Sequence, residues 1–165
     1  VSGILLLFER NLKVEDIVEV DGVVGKVQHI GLRTSRVMTR DNIEIIIPNT
    51  KFIADNVINW SHLEKATRFH VKVGVAYGSD VRLVEKILLD NARNHPDILT
   101  DPAPMVFFKD FGDSSLDFEV YFWTHHAFRF EKIRSDLRFA IDKAFRENGV
   151  TIPFPQRDVH FYPKQ

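Results

Sequence analysis

The chain has 165 residues, of which 44% are hydrophobic and 27% are charged, with 22 basic residues against 23 acidic ones. This composition can bury a core in one or two small domains, which excludes an intrinsically disordered protein. Residues 1–61 hold 7 basic and 8 acidic side chains, and residues 62–165 hold 15 of each. Neither half is basic, which argues against a nucleic-acid-binding surface. The chain has no cysteine, so disulfides and thiolate metal sites are excluded.

The chain opens with eight mostly apolar residues, VSGILLLF. They are too few to span a bilayer, which takes about 20 residues in a helix. No charged segment precedes them, so they do not fit a signal peptide. Taken alone, they predict an ordinary first element of a core.

Five short strands are predicted between residues 13 and 61, where Val and Ile alternate with polar residues at the period of half-buried strands. Asp21-Gly22 predicts a tight hairpin between the first two strands, because this pair accepts positive φ angles. Asp41-Asn42 predicts a similar hairpin between the third and fourth strands. So many short strands in so short a stretch indicate a small, strongly bent barrel.

Two features interrupt these strands. Gly25 lies inside a strand, which predicts either a bulge or the close approach of another backbone. Pro48-Asn49 ends the most apolar strand, because proline lacks the N–H that a sheet ladder needs. A short turn then leads to a last strand, VINW, which contains Asn59 and Trp60.

Residues 66–165 are predicted to form a second domain with the order βαββαβ, the ferredoxin-like arrangement. A polar segment around residues 61–67 is predicted to link it to the first domain. Ser79 or Asp80 can cap its first helix, and Gly149 can end its second one in a left-handed conformation. The predicted elements are a strand at 69–76, a helix at about 81–94, strands at 105–111 and 116–123, a helix at about 130–148 and a strand at 158–161.

No pattern in the chain supports catalysis, a cofactor or a bound metal. His125-His126 is the only histidine cluster, and adjacent residues on a strand point to opposite faces. The pair Gly22 and Gly25 is not followed by a helix N-terminus, so the geometry that cradles a phosphate is absent. No serine has the setting of a nucleophile. We therefore predict a protein that is not an enzyme and has no cofactor and no metal.

Aromatic residues cluster on neighbouring strands of the predicted second domain, and two interpretations remain open. Exposed aromatics on a ferredoxin-like sheet can stack nucleic-acid bases, but nearby acidic residues would repel phosphate. A contact with another subunit explains Tyr121 and Trp123 more simply. The aromatic residues are Phe107, Phe108, Phe118, Tyr121, Phe122 and Trp123, and the acidic ones are Asp110, Asp117 and Glu119.

Three runs, D-G-V-V-G-K-V, I-I-I-P-N and N-V-I-N-W-S, resemble the β-domain of small-conductance mechanosensitive (MscS-like) channels in order and spacing. The C-terminal run GVTIPFPQRDVHF is similar to the end of that family's cytoplasmic domain, so the resemblance covers nearly the whole chain. Before the barrel, the family often has R-P-x-K-x-G-D. Asn11 and Glu15 replace its proline and glycine, so the backbone bend there can differ. The resemblance marks as a structural and assembly motif the residues Gly22, Gly25, Pro48, Asn49, Asn59 and Trp60.

The resemblance implies a fold, a function and a location. Residues 1–12 would be the end of a pore-lining helix, residues 13–61 a small Sm-like β-barrel and residues 66–165 a ferredoxin-like α+β domain. The chain would be the cytoplasmic vestibule of a channel in the inner cell membrane that opens under tension and releases ions and small osmolytes during osmotic downshock. It would assemble as a homo-oligomer, a heptamer, and would not bind nucleic acid. The alternative is a soluble nucleic-acid-binding protein built from the same two domains.

Overall fold

The structure is a computed structural model that describes residues 12–61 and 66–164. The chain divides into two compact units, Val1–Glu64 and Lys65–Gln165, called the first and the second unit below. The predicted end of a pore-lining helix and most of the predicted linker lie outside the described residues. Within the part of the chain that the structure describes, no helix is long and apolar enough to cross a membrane.

The first unit is a five-stranded antiparallel sheet, in agreement with the five predicted strands. Neighbouring strands follow the order β4-β3-β2-β1-β5. Alternate residues of the strands point inward, as the pattern of Val and Ile dictates, and together with Leu12 they form the core Leu12, Val18, Val20, Val27, Val37 and Ile47. The elements are β1 (Ile17–Val20), β2 (Val23–Ile30), β3 (Thr34–Thr39), β4 (Glu44–Pro48), helix α1 (Asn49–Ala54) and β5 (Ile58–Asn59).

The two predicted hairpins differ in their geometry. Asp21 and Gly22 both have positive φ, 51° and 75°, which is the type I′ turn predicted from their sequence. The second hairpin has a three-residue loop, because the Thr39 N–H donates to the Ile43 carbonyl across 2.9 Å. Only Asn42 has a positive φ there, 60°. This corresponds to the longer hairpin loop that closes through one left-handed residue, which asparagine tolerates.

Of the two alternatives for Gly25, close backbone approach is correct. A Cβ atom at this position would lie 2.6 Å from Val37 Cγ1 and 2.7 Å from the Met38 carbonyl oxygen. The irregularity in the pairing of β2 with β3 falls later, between Val27 and His29. Gly25 therefore lets β3 approach β2, and the bulge that bends the sheet is a separate feature.

Glu15 adopts a left-handed conformation where the chain enters the sheet. Its φ is 77°, which glycine adopts freely and glutamate does not. Its N–H donates to the Val27 carbonyl across 2.7 Å, and its carboxylate lies 3.3 Å from Lys26 Nζ. Glu15 thus holds a bend that the glycine of the family motif would also permit.

The second unit has a three-stranded antiparallel sheet in the order β6-β8-β7. The Asp80 carboxylate caps α2, accepting from the N–H groups of Arg82 and Leu83 at 3.1 Å each. Gly149 follows α3 with φ 67°, as predicted. The elements are β6 (Thr67–Val75), α2 (Val81–Asn94), β7 (Met105–Phe111), β8 (Leu116–Thr124), a 3₁₀ turn (Ala127–Arg129) and α3 (Phe130–Glu147).

The alternation along β8 separates the two faces of this sheet, as predicted. Leu116, Phe118, Val120 and Phe122 are buried on the face against which α2 and α3 pack. Tyr121 and Trp123 lie on the other face, where the Arg68 guanidinium sits 4.9 Å and 5.9 Å from their ring centroids. The two helices bury their apolar stripes, which consist of Val84, Ile87, Leu88 and Ala92 in α2 and of Ile133, Leu137, Ile141 and Phe145 in α3.

The predicted strand at 158–161 is wrong. Residues 150–164 have no regular secondary structure, so the observed order in the second unit is βαββα. The Ala76 N–H donates to the Thr151 carbonyl across 2.8 Å, and the Gln156 N–H donates to Ser114 Oγ across 3.0 Å. The segment therefore crosses the ends of the strands. Val159 and Phe161 are left 61% and 89% exposed, and the described residues offer no neighbouring strand in register with them, so the apolar alternation does not produce a strand.

Candidate functional site

The predicted motif residues lie in the first unit, and two of them, Asn49 and Asn59, belong to two buried polar clusters. One cluster, called the Asn49 cluster, joins the start of α1 to the turn between β2 and β3. The other, called the Asp16 cluster, joins the beginning of the first unit to its end. Because buried polar groups need partners, such clusters fix the positions of the segments that they connect.

In the Asn49 cluster, both ends of one buried amide are satisfied. Asn49 is fully buried, its Oδ1 accepts from Ser35 Oγ at 2.6 Å, and its Nδ2 donates to the Gly31 carbonyl at 2.7 Å. Its backbone N–H donates to the Arg33 carbonyl at 2.8 Å. Pro48 precedes it with φ −58°, so proline ends β4 and asparagine ties the following helix to the β2–β3 turn.

In the Asp16 cluster, a carboxylate connects the two chain ends of the described first unit. Asp16 is 7% exposed, and its Oδ2 accepts from the Lys13 N–H at 3.0 Å and from Asn59 Nδ2 at 2.9 Å. Asn59 Oδ1 accepts from the Ser61 N–H at 2.9 Å. Ser61 Oγ in turn accepts from the Ile17 N–H at 2.5 Å. Each polar atom of the Asn59 side chain thus has a partner in this corner.

The other motif residues contribute through the conformation or the hydrogen bonds of their backbone. Gly22 lies in the first hairpin, and Gly25 lies in β2 opposite Thr39 of β3. The Trp60 N–H donates to the Ile17 carbonyl across 2.7 Å, which places Trp60 beside the Asp16 cluster. Three cluster members were missed in the sequence analysis. Asp16 and Ser61 could have been found, because Asp16 occupies the aspartate position of the R-P-x-K-x-G-D run and Ser61 ends the N-V-I-N-W-S run, whereas nothing local marks Ser35.

The second unit has a groove of about 490 Å³ between the end of α2 and the first half of α3. His95 lies in it, with Nδ1 accepting from the Asp97 N–H at 3.0 Å and Nε2 lying 2.9 Å from Asp136 Oδ2. Since Nδ1 is an acceptor, Nε2 carries the proton and donates it to the carboxylate. The hydrogen bond from His95, and after it the one from Lys132, hold the pKa of Asp136 below its ordinary value.

No metal site is evident in residues 12–61 and 66–164, which contain no group of three or more His, Cys, Asp or Glu side chains able to hold an ion. His126 Nε2 lies 4.0 Å from Asp97 Oδ1, in a pair that fits a weak surface contact. The predicted absence of a metal, a cofactor and a catalytic group stays a prediction.

We expect the α2–α3 contact to weaken in acid. Because the folded-state pKa of Asp136 is lowered, its contribution to stability is present above the unfolded value of about 3.9. That contribution is lost as the pH falls through the lower folded-state pKa. Asp136→Asn should therefore speed amide exchange in α3 at pH 7 and flatten its dependence on pH below 4. Hydrogen exchange of α3 peptides measures both effects.

Asp142→Asn is the matched control, because Asp142 forms a pair with Arg146 at 3.1 Å on the solvent-exposed side of the same helix. Such exposed pairs contribute little to stability, so this variant should behave like the wild-type chain. Equal effects of the two variants would mean that the link from Asp136 to His95 has no special role.

Two family models match this chain. Residues 1–62 match the family described as "Mechanosensitive ion channel, beta-domain", and residues 69–152 match "Mechanosensitive ion channel MscS, C-terminal". Together they match most of each unit, and they confirm the resemblance seen in the sequence.

Individual relatives agree with these matches. The chain is 38% identical to the mechanosensitive channel MscK of Escherichia coli over 98% of its own length and 14% of the relative. It is 35% identical to the small-conductance mechanosensitive channel of Edwardsiella ictaluri over 98% of its length and 56% of the relative. The closed-state crystal structure of Helicobacter pylori MscS superimposes with a TM-score of 0.90 at 29% identity, covering 99% of this chain and 64% of that one. The chain belongs to the MscS family of mechanosensitive ion channels.

Proposed function

We propose that the chain is the cytoplasmic vestibule of a mechanosensitive channel in the inner cell membrane. In this proposal the channel opens under membrane tension and releases ions and small osmolytes during osmotic downshock. The chain spans about half the length of some relatives and much less of others. The membrane-spanning pore is assigned to channel residues outside this chain, with residues 1–12 as the end of a pore-lining helix. Tension would then favour the helix packing that occupies the larger area.

We also propose finer descriptions of the two units. Residues 13–61 would form an Sm-like barrel, which is supported by the enclosed core of the first unit and by the bulge that bends β2. Residues 66–165 would be a ferredoxin-like domain whose last strand is not formed by the described residues 150–164. The strand order β6-β8-β7 and the two helices on one face support this assignment.

The observation that carries the proposed assembly is the open sheet of the first unit. Its two edges are β4 and β5, and each presents an exposed isoleucine, Ile46 at 64% and Ile58 at 53%. Unpaired strand edges favour pairing with another chain. When the edge of one copy meets the other edge of the next, the copies form a ring that leaves no edge open. We therefore propose a homo-oligomer, a heptamer, in which the barrels make most of the contacts.

Charged side chains at these edges should break the ring. Ile46→Asp together with Ile58→Asp should convert the heptamer to smaller species, because carboxylates would be buried without partners at the contact. Native mass spectrometry of the fragment measures the change in mass. The same double variant in the channel should abolish tension-activated current in membrane patches.

Ile152→Asp is the control, because Ile152 is similarly exposed at 54% but lies in the second unit. This variant should keep the mass of the ring. A wild-type fragment that forms only a dimer would contradict the proposed ring, since a two-fold contact uses the same patch twice.

The alternative of a soluble nucleic-acid-binding protein gains no support from the outer face of the second sheet. Tyr121 lies there beside Glu119, with which its hydroxyl forms a short hydrogen bond. Asp117 lies on the same face of the same strand, two positions before Glu119. These carboxylates would repel a phosphate backbone. The absence of nucleic-acid binding stays a prediction.

A further inference from the structure

The incoming chain is held at the point where it joins the first unit. Leu12 is 4% exposed and packs in the core. The next residue, Lys13, exchanges two hydrogen bonds with Asp16: its N–H donates to the Asp16 carboxylate at 3.0 Å, and its carbonyl accepts from the Asp16 N–H at 3.1 Å. These contacts fix the backbone direction immediately before β1.

We propose that Asp16 is a positioning residue that sets the direction in which the preceding segment leaves the first unit, and that Asn59 fixes Asp16 in place. The inference rests on the proposed function, because the preceding segment is the proposed end of a pore-lining helix. Asp16 would thereby set the membrane tension at which the channel opens.

Asn59 can hold Asp16 in place because Asn59 is itself held by other contacts. It pairs with Val18 in the ladder between β1 and β5, and its Oδ1 accepts from the Ser61 N–H. The same carboxylate oxygen of Asp16 receives both the Asn59 amide and the Lys13 N–H. Any rotation of Asp16 that releases Lys13 therefore also breaks a hydrogen bond to the last strand. The direction of the backbone that enters β1 therefore depends on β5 through one oxygen atom, Asp16 Oδ2.

The neighbouring ion pair is a weaker candidate for this role. Glu15 and Lys26 lie 3.3 Å apart, but their side chains are 72% and 50% exposed. Exposed pairs contribute little and are screened by salt. Asp16 is buried and bonded to neighbours on both sides, so its hydrogen bonds are the stronger constraint.

Two alanine variants and their combination test the proposal. Asp16→Ala removes the acceptor of the Lys13 N–H, and Asn59→Ala removes the amide that holds this acceptor in place. A hydrogen bond to a charged group is worth enough to slow exchange roughly tenfold. Amide exchange at Lys13 should speed up by about that factor in Asp16→Ala and by less in Asn59→Ala. The double variant should exchange no faster than Asp16→Ala alone, because Asn59 acts on Lys13 through the Asp16 carboxylate.

The second readout is the opening tension in patches, measured on the channel that carries this chain. Asp16→Ala should shift it most, Asn59→Ala should shift it less and the double variant should match Asp16→Ala, whereas Glu15→Gln should change neither readout. If exchange at Lys13 follows the expected pattern but the opening tension is the same in all variants, the positioning role is overturned and the proposed channel function stands. If the wild-type channel shows no tension-activated current, the proposed function fails, and the inference fails with it.

Discussion

Replacing Asn49 by alanine should lower the free energy of unfolding of the first unit by about 2–4 kcal/mol. The side-chain amide of Asn49 is fully buried and forms hydrogen bonds with the Ser35 hydroxyl and the Gly31 carbonyl. Alanine leaves both of these groups without a partner and opens a small cavity, and each buried unsatisfied group costs about 1–3 kcal/mol. Urea denaturation followed by the fluorescence of Trp60, in a Trp123→Phe background, reports on this unit.

Two further variants make the interpretation of Asn49→Ala specific. Ser35→Ala removes only one hydrogen bond of the cluster and should cost less than Asn49→Ala. Asn56→Ala changes an exposed asparagine in the same unit and should be close to neutral. If Asn49→Ala costs no more than Asn56→Ala, the Asn49 cluster does not hold α1 to the β2–β3 turn.

The same asparagine shows what the sequence can and cannot predict. Pro48-Asn49 predicts the end of a strand, because the missing N–H of proline is a local property. The burial of the Asn49 side chain depends on Ser35, fourteen positions away, and no local pattern reports such a partner. Asp16 and Asn59 are farther apart still, 43 positions along the chain. The sequence therefore identified Asn49 and Asn59 as motif residues, whereas their hydrogen-bond partners are seen only in the fold.

The C-terminal segment shows the opposite case, in which a local pattern predicts too much. Val159 and Phe161 alternate with polar residues, and this favours a strand. A strand, however, also needs a neighbour with free N–H and carbonyl groups in register. Here Thr151 and Gln156 lead the chain across the strand ends, and Phe161 is left 89% exposed. The alternation of β8 was predicted correctly, because β6 and β7 lie on either side of it.

Gly25→Ala should destabilise the first unit by about 2–3 kcal/mol, in the upper part of the range for overpacked sites. The added methyl group would lie 2.6 Å from Val37 Cγ1 and 2.7 Å from the Met38 carbonyl oxygen. Val37 can rotate only within a buried core, and the carbonyl belongs to the backbone of β3, so the strand itself has to move. Because β4 pairs with β3, this movement reaches the edge proposed to meet the next copy. The urea midpoint and the native mass of the oligomer should therefore both fall.

Gly22→Ala is the matched control, since it adds the same methyl group to the same sheet with a different physical effect. A Cβ at Gly22 meets nothing within 4 Å, but the φ of 75° is strained for alanine. Such strain costs on the order of 1 kcal/mol, so this variant should be less destabilised and should keep the native mass of the ring. If Gly22→Ala proves the more damaging of the two, then the first hairpin, and not the contact between β2 and β3, limits the stability of the sheet.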